Sequence, residues 1–342
     1  MDLVLWRSGR RLLRAAVVLA GVSASLAAQA VAAEQTPFTI ATGIPGGVFL
    51  AVGNAICRLF NLAEERRSNP CLAAISSGSV DNARRTRRGD ATLGLVQSDV
   101  TYAAYRGTEG FAAAGPDADL RVVLAVHTEA LAVIVRSRGG IRRFEELRHR
   151  RISVGRSGAS YTALRDDLLD AYGWSTADFA RSLELGLAEQ NRALCDNRVD
   201  AIMFEAAQPN GFIQEVTIGC SARLLRLSGS AIAALLVAHP YYVASRIPGG
   251  MYDGNPDDVP TFGTQALLVA SARQPDALIY SVVQAVLENF VDFRRLHPVL
   301  FTLQRGDLVP NVAVAPLHPG ATRYFQAAGL LPRPSGDEPN VK

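Results

Sequence analysis

The segment that decides the fold runs from Phe38 to Phe60 and reads FTIATGIPGGVFLAVGNAICRLF. Its first four residues are apolar or β-branched and end at Thr42-Gly43, which predicts a short strand closed by a turn. After Gly46-Gly47, apolar residues recur at positions 48, 52, 56, 59 and 60, the spacing of one face of a helix. A strand that leads through a glycine-rich turn into a helix is the building unit of parallel α/β sheets.

The same unit recurs along the chain. A predicted strand at 72–76 leads through Ser77-Gly78-Ser79 into a helix at 80–88, and one at 92–96 leads through Gln97-Ser98-Asp99 into another helix. A second set starts at 152–155 and passes through 156–160 into a helix that ends near 172. Further apolar runs predict strands at 120–126, 131–135, 200–204, 223–227 and 264–270, and a long helix from 275 to about 296. The two sets predict two similar α/β lobes, with the C-terminal helix returning to the first.

Length and composition bound the class of protein. The chain has 342 residues, of which 20% are charged and 49% hydrophobic, as expected for a globular protein of two domains. After residue 30 no apolar run has the length of a membrane-spanning helix, which excludes a polytopic membrane protein. The formal net charge of +3 is the net charge of residues 1–33 alone, so the remainder gives no indication of a nucleic-acid partner.

Residues 1–33 have the features of a secretory signal peptide. Four arginines precede an apolar stretch from Ala15 to about Ala28, and small residues follow up to Ala33. Cleavage is expected after Ala33, with Ala30 as a second possibility, and an uncleaved membrane anchor is the alternative. The predicted location of the mature protein is the periplasm.

Four cysteines follow this leader, at Cys57, Cys71, Cys195 and Cys220. An even number in an exported chain predicts disulfides, and the absence of a Cys-x-x-Cys motif argues against a zinc or thioredoxin-type site. Four cysteines allow three connectivities, of which the spacing favours the two local pairs, 57 with 71 and 195 with 220. Four buried free thiols are the alternative.

Motifs of enzymes are absent. The chain has no Gly-x-Ser-x-Gly, no His-Glu-x-x-His, no phosphate-loop lysine motif and no Gly-x-Gly-x-x-Gly after a strand. Its five histidines do not have metal-ligand spacing, so the sequence predicts neither a metal nor a cofactor nor a catalytic residue. The rival from another class is an enzyme that uses Ser157 or Glu205 in a cleft, and it lacks a base partner in the sequence.

The repeated turns indicate an anion-binding cleft instead. Each helix start offers unpaired backbone N–H groups, and glycines allow a ligand to approach them closely. Turns at the carboxyl ends of neighbouring parallel strands converge on one crevice. The alternative is that Thr42, Ser79 and Ser98 only cap their helices. Arg156 lies in a turn of the second set and could pair with a carboxylate.

These motifs together resemble the TAXI-type solute-binding proteins of tripartite ATP-independent periplasmic (TRAP) transporters. The resemblance extends from residue 38 to about 330. It is carried by the segments at 42–49, 76–82 and 95–99, the Cys195…Asp200-Ala201…Cys220 stretch, and the segments at 247–252 and 258–261. The cysteine spacing also resembles that of a subgroup in which both pairs are bridged.

The resemblance implies an α/β protein with the two-lobed type II periplasmic-binding-protein fold, in which hinge strands join the lobes. The implied boundaries are a first lobe at 34–127 and 265–330, a second lobe at 128–264 and a disordered tail at 331–342. The implied function is capture of a small carboxylate, glutamate-like or a dicarboxylate, for the membrane permease subunits of a TRAP-type transporter. The implied ligand-binding residues are Thr42, Gly46, Gly47, Val48, Phe49, Ser77, Gly78, Ser79, Asn82, Gln97, Ser98, Asp99, Arg156, Ser157, Gly158, Ser160, Tyr161 and Phe204.

Several residues depart from the family pattern. Ile44-Pro45 replaces small residues in the first turn, the second-lobe turn reads Gly158-Ala159-Ser160-Tyr161 where Gly-Ser-Gly-Thr is usual, and Glu205 lies where apolar residues are commoner. These departures leave the identity of the carboxylate open. A ligand sensor that docks on a receptor ectodomain is a further alternative to transport.

Overall fold

The computed structural model describes residues 37–63, 69–156 and 161–332. The predicted signal peptide lies outside these residues, as does the predicted tail beyond residue 332. Within the described part, no helix combines the length and the hydropathy that crossing a membrane requires.

Ten strands of the described residues form one mixed sheet. The main path has the order β2-β1-β3-β10-β4-β7-β5-β6, while β8 pairs with β4 and β9 pairs with β10. The strand bounds are β1 Phe38–Ala41, β2 Cys71–Ala74, β3 Leu93–Gln97, β4 Leu120–Arg136, β5 Arg151–Ser153, β6 Arg181–Leu183, β7 Ala201–Ala207, β8 Ala222–Leu224, β9 Tyr242–Ile247 and β10 Val259–Ser271.

The first four α-helices of the described residues follow their strands as the sequence pattern predicts, whereas the pattern does not predict the helices at 187–195, 211–220, 230–238 and 319–327. Their bounds are α1 Val48–Phe60, α2 Ser79–Arg88, α3 Ser98–Arg106, α4 Thr162–Ala171, α5 Leu187–Cys195, α6 Gly211–Cys220, α7 Ser230–Ala238, α8 Asp276–Glu288, α9 Phe290–Arg295 and α10 Pro319–Ala327. Strands β1, β2 and β3 are parallel neighbours, and so are β5, β6 and β7. The fold is therefore mixed α/β, as expected.

Two long antiparallel strands, β4 and β10, lie between the parallel groups, and we call them the crossing strands. Strand β10 pairs with β3 and β9, and strand β4 pairs with β7 and β8, while β4 and β10 pair with each other from Gly263 to Ser271. At Gly263 an added Cβ would lie 1.9 Å from the Glu129 carbonyl oxygen, so only glycine allows β4 to approach this closely.

Two sequence predictions are wrong in detail. The runs 120–126 and 131–135 are one strand, because the polar triplet His127-Thr128-Glu129 continues the pairing with β10. The predicted helix from 275 to 296 divides into α8 and α9 at Asn289, whose backbone (φ −103°, ψ 31°) is not helical.

Each parallel group has its own apolar core. On the first, α1, α8 and α10 bury Val52, Val283 and Phe325 with Ile40 of β1. On the second, α4 packs Leu168 against Met203 of β7. Burial of such side chains contributes about 1.5–3 kcal/mol each relative to exposure.

Both expected disulfides are present. The Cα atoms are 4.9 Å apart in the Cys57–Cys71 pair and 5.2 Å apart in the Cys195–Cys220 pair. The first joins the end of α1 to the start of β2, and the second joins the ends of α5 and α6. The prediction of local pairing is confirmed.

Candidate functional site

Three helices begin at one edge of the sheet. Because β1, β2 and β3 are parallel neighbours, their carboxyl ends lie together, and α1, α2 and α3 start directly after them. The N-cap residues Gly47, Gly78 and Gln97 make no side-chain cap hydrogen bond. At Gly78 the backbone φ of +107° lies in the region that favours glycine. First-turn N–H groups at this edge therefore lack side-chain caps from these positions.

Thr42, Asn82 and Ser98 lie at this edge but are fully buried. The Thr42 hydroxyl donates to the Ala74 carbonyl at 2.7 Å, and the Asn82 amide donates to the Thr42 and Leu95 carbonyls at 2.6 Å each. The Ser98 hydroxyl donates to a backbone carbonyl at 2.6 Å and accepts a backbone N–H at 2.9 Å. These three buried side chains stabilise the turns through hydrogen bonds to backbone groups.

Apart from Gln97, which is buried, the other predicted ligand-binding residues near these three helix starts are more accessible. The Ser79 hydroxyl accepts the Gln97 N–H at 3.1 Å and is half-buried, as are Gly47, Val48, Gly78 and Asp99. Gly46 and Ser77 are exposed. Phe49 packs edge-on against His127, with 6.0 Å between the ring centroids.

The predicted turn of the second lobe, at 156–160, is described only in part, because Ser157, Gly158 and Ser160 lie outside the described residues. Arg156 is exposed, and its guanidinium lies against Gly186 at the start of α5. Tyr161 is 8% exposed and packs in the core beneath α5 and α6, as does Phe204 at 1%. Their rings serve packing, and neither is offered to a ligand in this structure.

A cluster of carboxyl groups lies beside α3 and was not foreseen as a unit. Thr264 of β10 pairs directly with Glu129 of β4, and Glu205 of β7 pairs with Leu131, two residues further along β4. Residues two apart on a strand share a face, so Glu129 and Glu205 are on the same face of the sheet. Asp99 approaches them from the first turn of α3. We name Asp99, Glu129 and Glu205 the acidic cluster.

Neutral donors hold the acidic cluster in place. One Glu205 oxygen accepts the N–H and the hydroxyl of Thr264 at 2.9 and 2.8 Å. The Gln97 side-chain amide donates to Glu129 at 2.7 Å and lies 3.4 Å from the second Glu205 oxygen. Gln97 thus links the N-terminus of α3 to one carboxyl group on β4 and one on β7.

Burial and nearby negative charge make Asp99 and Glu205 hard to ionise. Burial, followed by the negative charges of Glu129 and Asp99, raises the pKa of Glu205 well above its usual range, although the Thr264 hydrogen bonds oppose this. Burial, followed by the charge of Glu129, raises the pKa of Asp99 to about 7, against the Val100 N–H bond. Such perturbed groups cluster at functional sites.

His127 completes the cluster. Its side chain is 1% exposed, and its Nε2 lies 3.4 Å from a Glu129 oxygen. Its Nδ1 is buried and has no hydrogen-bond partner in the described structure. If Nε2 donates to the carboxylate, the neutral ring has an acceptor at Nδ1 without a donor.

Sequence reasoning marked Glu205 as a departure but missed Glu129, His127 and Thr264. The available signal was the triplet His127-Thr128-Glu129, which interrupts an otherwise apolar stretch at 122–135 within one strand. A buried strand has no packing reason for two ionisable residues, which indicates a site.

Metal sites and cavities were the remaining places for a ligand among the described residues. No group of three His, Cys, Asp or Glu side chains there converges closely enough to hold a metal ion. A cavity of about 400 Å³ is lined by residues of α4, of β6 and of the segment between them, including Arg165 and Trp174, and none of the accessible turn residues lines it.

Solved structures share this architecture at low sequence identity. A TctC solute-binding protein from Polaromonas is 15% identical, with a TM-score of 0.55 over 88% of this chain and 100% of that one. PhnD1 from Prochlorococcus marinus, in complex with methylphosphonate, is 9% identical, with a TM-score of 0.50 over 87% and 100%. The periplasmic sulfonate-binding protein SsuA from Methylobacillus flagellatus is 12% identical, with a TM-score of 0.50 over 87% and 88%. The fold is that of periplasmic binding proteins.

Membership of a family follows from the sequence itself. The NMT1-like family matches residues 40–329, which begin within β1 and end just after α10. The match thus includes the three helix starts, both crossing strands and all members of the acidic cluster, and the chain belongs to the NMT1-like family.

Proposed function

We propose that this chain is an exported, TAXI-type solute-binding protein. It captures a small carboxylate, glutamate-like or a dicarboxylate, and delivers it to the permease subunits of a TRAP-type transporter. The observation that carries the proposal is the convergence of three helix starts, with N-caps Gly47, Gly78 and Gln97, at one sheet edge beside the crossing strands.

A carboxylate suits such an edge. A helix N-terminus presents N–H donors and a partial positive charge, so it binds anions without a lysine. Lysine is in fact found only at position 342 of this chain. The structural neighbours named above are consistent with this reading, since they are solute-, phosphonate- and sulfonate-binding proteins.

The crossing strands connect the two proposed lobes and allow them to close around the solute. In this proposal the first lobe is 34–127 with 265–330, the second is 128–264, and β4 and β10 form the hinge between them. The solute binds between the lobes and stabilises a closed form that the permease recognises. The site contributes binding alone and performs no chemical step.

The experiment compares two serines that begin matched helices. Ser79 follows Gly78 (φ +107°, ψ −160°), and Ser230 follows Gly229 (φ +101°, ψ −170°) at the start of α7, away from the proposed site. A hydrogen bond to a charged group contributes about 1.5–3 kcal/mol, so Ser79→Ala should weaken carboxylate binding about ten- to hundredfold. Ser230→Ala should leave binding unchanged.

Isothermal titration calorimetry with malate and L-glutamate measures this difference. Equal affinities of both variants and the parent would contradict the assignment of α2 to the site. Arg156→Ala tests the predicted turn of the second lobe. A larger loss of affinity for malate than for lactate would support pairing of Arg156 with a second carboxylate. Equal small losses of affinity would show that this exposed arginine does not contact the solute.

A further inference from the structure

Exposed arginines gather where the strands of the second parallel group begin. Residues 137–150 join the end of β4 to the start of β5, and β6 begins beside β5 with Arg181 in register with Arg151. Within 137–150 and 178–181, six arginines are exposed, against three carboxyl groups. We name these six side chains the arginine face: Arg138, Arg142, Arg143, Arg148, Arg150 and Arg181.

Buried apolar side chains fix the loop that carries most of the arginine face. Ile141, Phe144 and Leu147 are at most 3% exposed and belong to the core of the second group. The Phe144 ring stacks on Trp174, with 5.3 Å between the ring centroids. The Arg150 carbonyl accepts a backbone N–H from just before β6 at 3.0 Å, which joins the loop to the start of that strand. The arginines therefore extend from an ordered backbone, which lowers the conformational entropy lost when they bind a partner.

The arginine face is only partly neutralised by carboxylates. Arg143 pairs with Glu146 at 3.3 Å, and Arg148 pairs with Asp178 at 2.9 Å. Within the described part of the chain, the other four guanidinium groups form no salt bridge or hydrogen bond, and they belong to Arg138, Arg142, Arg150 and Arg181. Burial, followed by the positive charge of Arg142, lowers the pKa of Arg223 on β8, against the charge of Glu146. Residues 34–342 have no net charge, so the positive excess is local to this face.

The chemistry of the arginine face indicates what kind of partner it fits. Guanidinium groups suit phosphate, because two of their N–H donors can bind two oxygens of one anion. Interfaces between proteins are centred instead on apolar and aromatic side chains that exclude water. Among the described residues from 136 to 183, no large apolar side chain is exposed. A cluster of about four to eight basic side chains without such a centre is typical of contact with anionic lipid headgroups.

We propose that the arginine face docks the protein reversibly on a membrane surface through anionic phospholipid headgroups. This inference does not depend on which solute is bound. The arginine face lies at the start of β5, whereas the turn that contains Arg156 follows the end of that strand, so docking leaves the turn free. In the proposed function, docking keeps the binding protein at the membrane in which its permease lies.

The experiment measures sedimentation of the oxidised mature protein with vesicles of two compositions. One is phosphatidylcholine alone, and the other contains phosphatidylglycerol in addition. The parent should bind only the anionic vesicles, and raising the NaCl concentration from about 0.05 to about 0.5 M should abolish binding, because salt screens exposed charges. A basic side chain near an anionic surface strengthens binding about fivefold. Exchange of all four unpaired arginines for glutamine should therefore weaken binding by about a hundredfold or more.

A matched variant removes four exposed arginines that lie on α1, α9, α10 and the segment between α9 and α10. It combines Arg58→Gln, Arg295→Gln, Arg305→Gln and Arg323→Gln. Because its net charge equals that of the first variant, it should bind anionic vesicles nearly as the parent does. Both variants should keep the parent's circular dichroism, since the exchanged side chains are exposed.

Three results would overturn the inference and leave the solute-binding function intact. The first is a parent that does not bind anionic vesicles at about 0.05 M NaCl. The second is an equal loss of binding in both variants, because net charge alone would then explain it. The third is binding of the parent to immobilised poly-L-glutamate without binding to vesicles, which would assign the arginine face to an acidic protein partner.

Discussion

The carboxyl group of Asp99 makes the stability of the unliganded protein depend on pH. Burial, with the negative charges of Glu129 and Glu109, raises its pKa from an ordinary 3.8 to about 7. The folded protein then holds a proton that the unfolded chain releases. The free energy of unfolding is therefore highest below about pH 4, falls as the pH rises from 3.8 to 7, and is level above that.

The size of the effect follows from the two pKa values. They differ by about 3, and each pKa unit corresponds to 1.36 kcal/mol, so the ionised group costs about 4 kcal/mol at pH 8 and about 1.7 kcal/mol at pH 5. In Asp99→Asn the side-chain oxygen can still accept the Val100 N–H, which lies 2.7 Å from Asp99. We expect Asp99→Asn to raise the free energy of unfolding by about 4 kcal/mol at pH 8 and by less than half of that at pH 5.

Urea denaturation of the oxidised, ligand-free protein at pH 5, 6, 7 and 8 measures the difference. Asp292→Asn is the control, because the Asp292 side chain is 66% exposed and an exposed pair of this kind contributes little. The reasoning would be refuted if the difference in the free energy of unfolding between Asp99→Asn and the parent stayed constant with pH. It would also be refuted if Asp99→Asn were less stable than the parent at pH 8.

Further predictions concern the covalent and packing constraints. Reduction of the disulfides should lower the free energy of unfolding by about 3 kcal/mol for each bridge, and non-reducing peptide mapping should recover the two local pairs and no others. Gly155→Ala should destabilise the protein by roughly 2 kcal/mol or more, because the φ of Gly155 is +81° and an added Cβ would lie 2.1 Å from the Tyr161 hydroxyl oxygen. Gly306→Ala, where nothing lies within 4 Å of the added atom, should change the melting temperature little, and equal shifts for both variants would contradict the packing argument.

Local patterns predicted the first three strand-turn-helix units well. Their glycine and serine turns and their apolar spacing are properties of short segments, and α1 to α3 begin within two residues of the predicted positions. The continuity of β4 through His127-Thr128-Glu129 is different, because the polar triplet looks like a turn until β10 lies beside it.

The site divides in the same way. The helix starts could be read from the sequence because each depends on neighbours in the chain. The acidic cluster could not, since Asp99, Glu129 and Glu205 come from three elements that only the sheet order brings together. Thr42 and Ser98 show the converse: their type and position suggested ligand contact, while tertiary packing uses their hydroxyls for backbone hydrogen bonds.

The place of β10 between β3 and β4 has a consequence for the order of folding. Gln97 pairs with Ala266, so the strand that completes the first parallel group is made about 170 residues after it. The β1–β3 group, although early in the chain, has no partner for its inner edge during that time. Loop closure over such a distance is slow, and an unpaired strand edge invites association with other chains. A chain truncated before Val259 should therefore aggregate instead of accumulating as a stable half-protein.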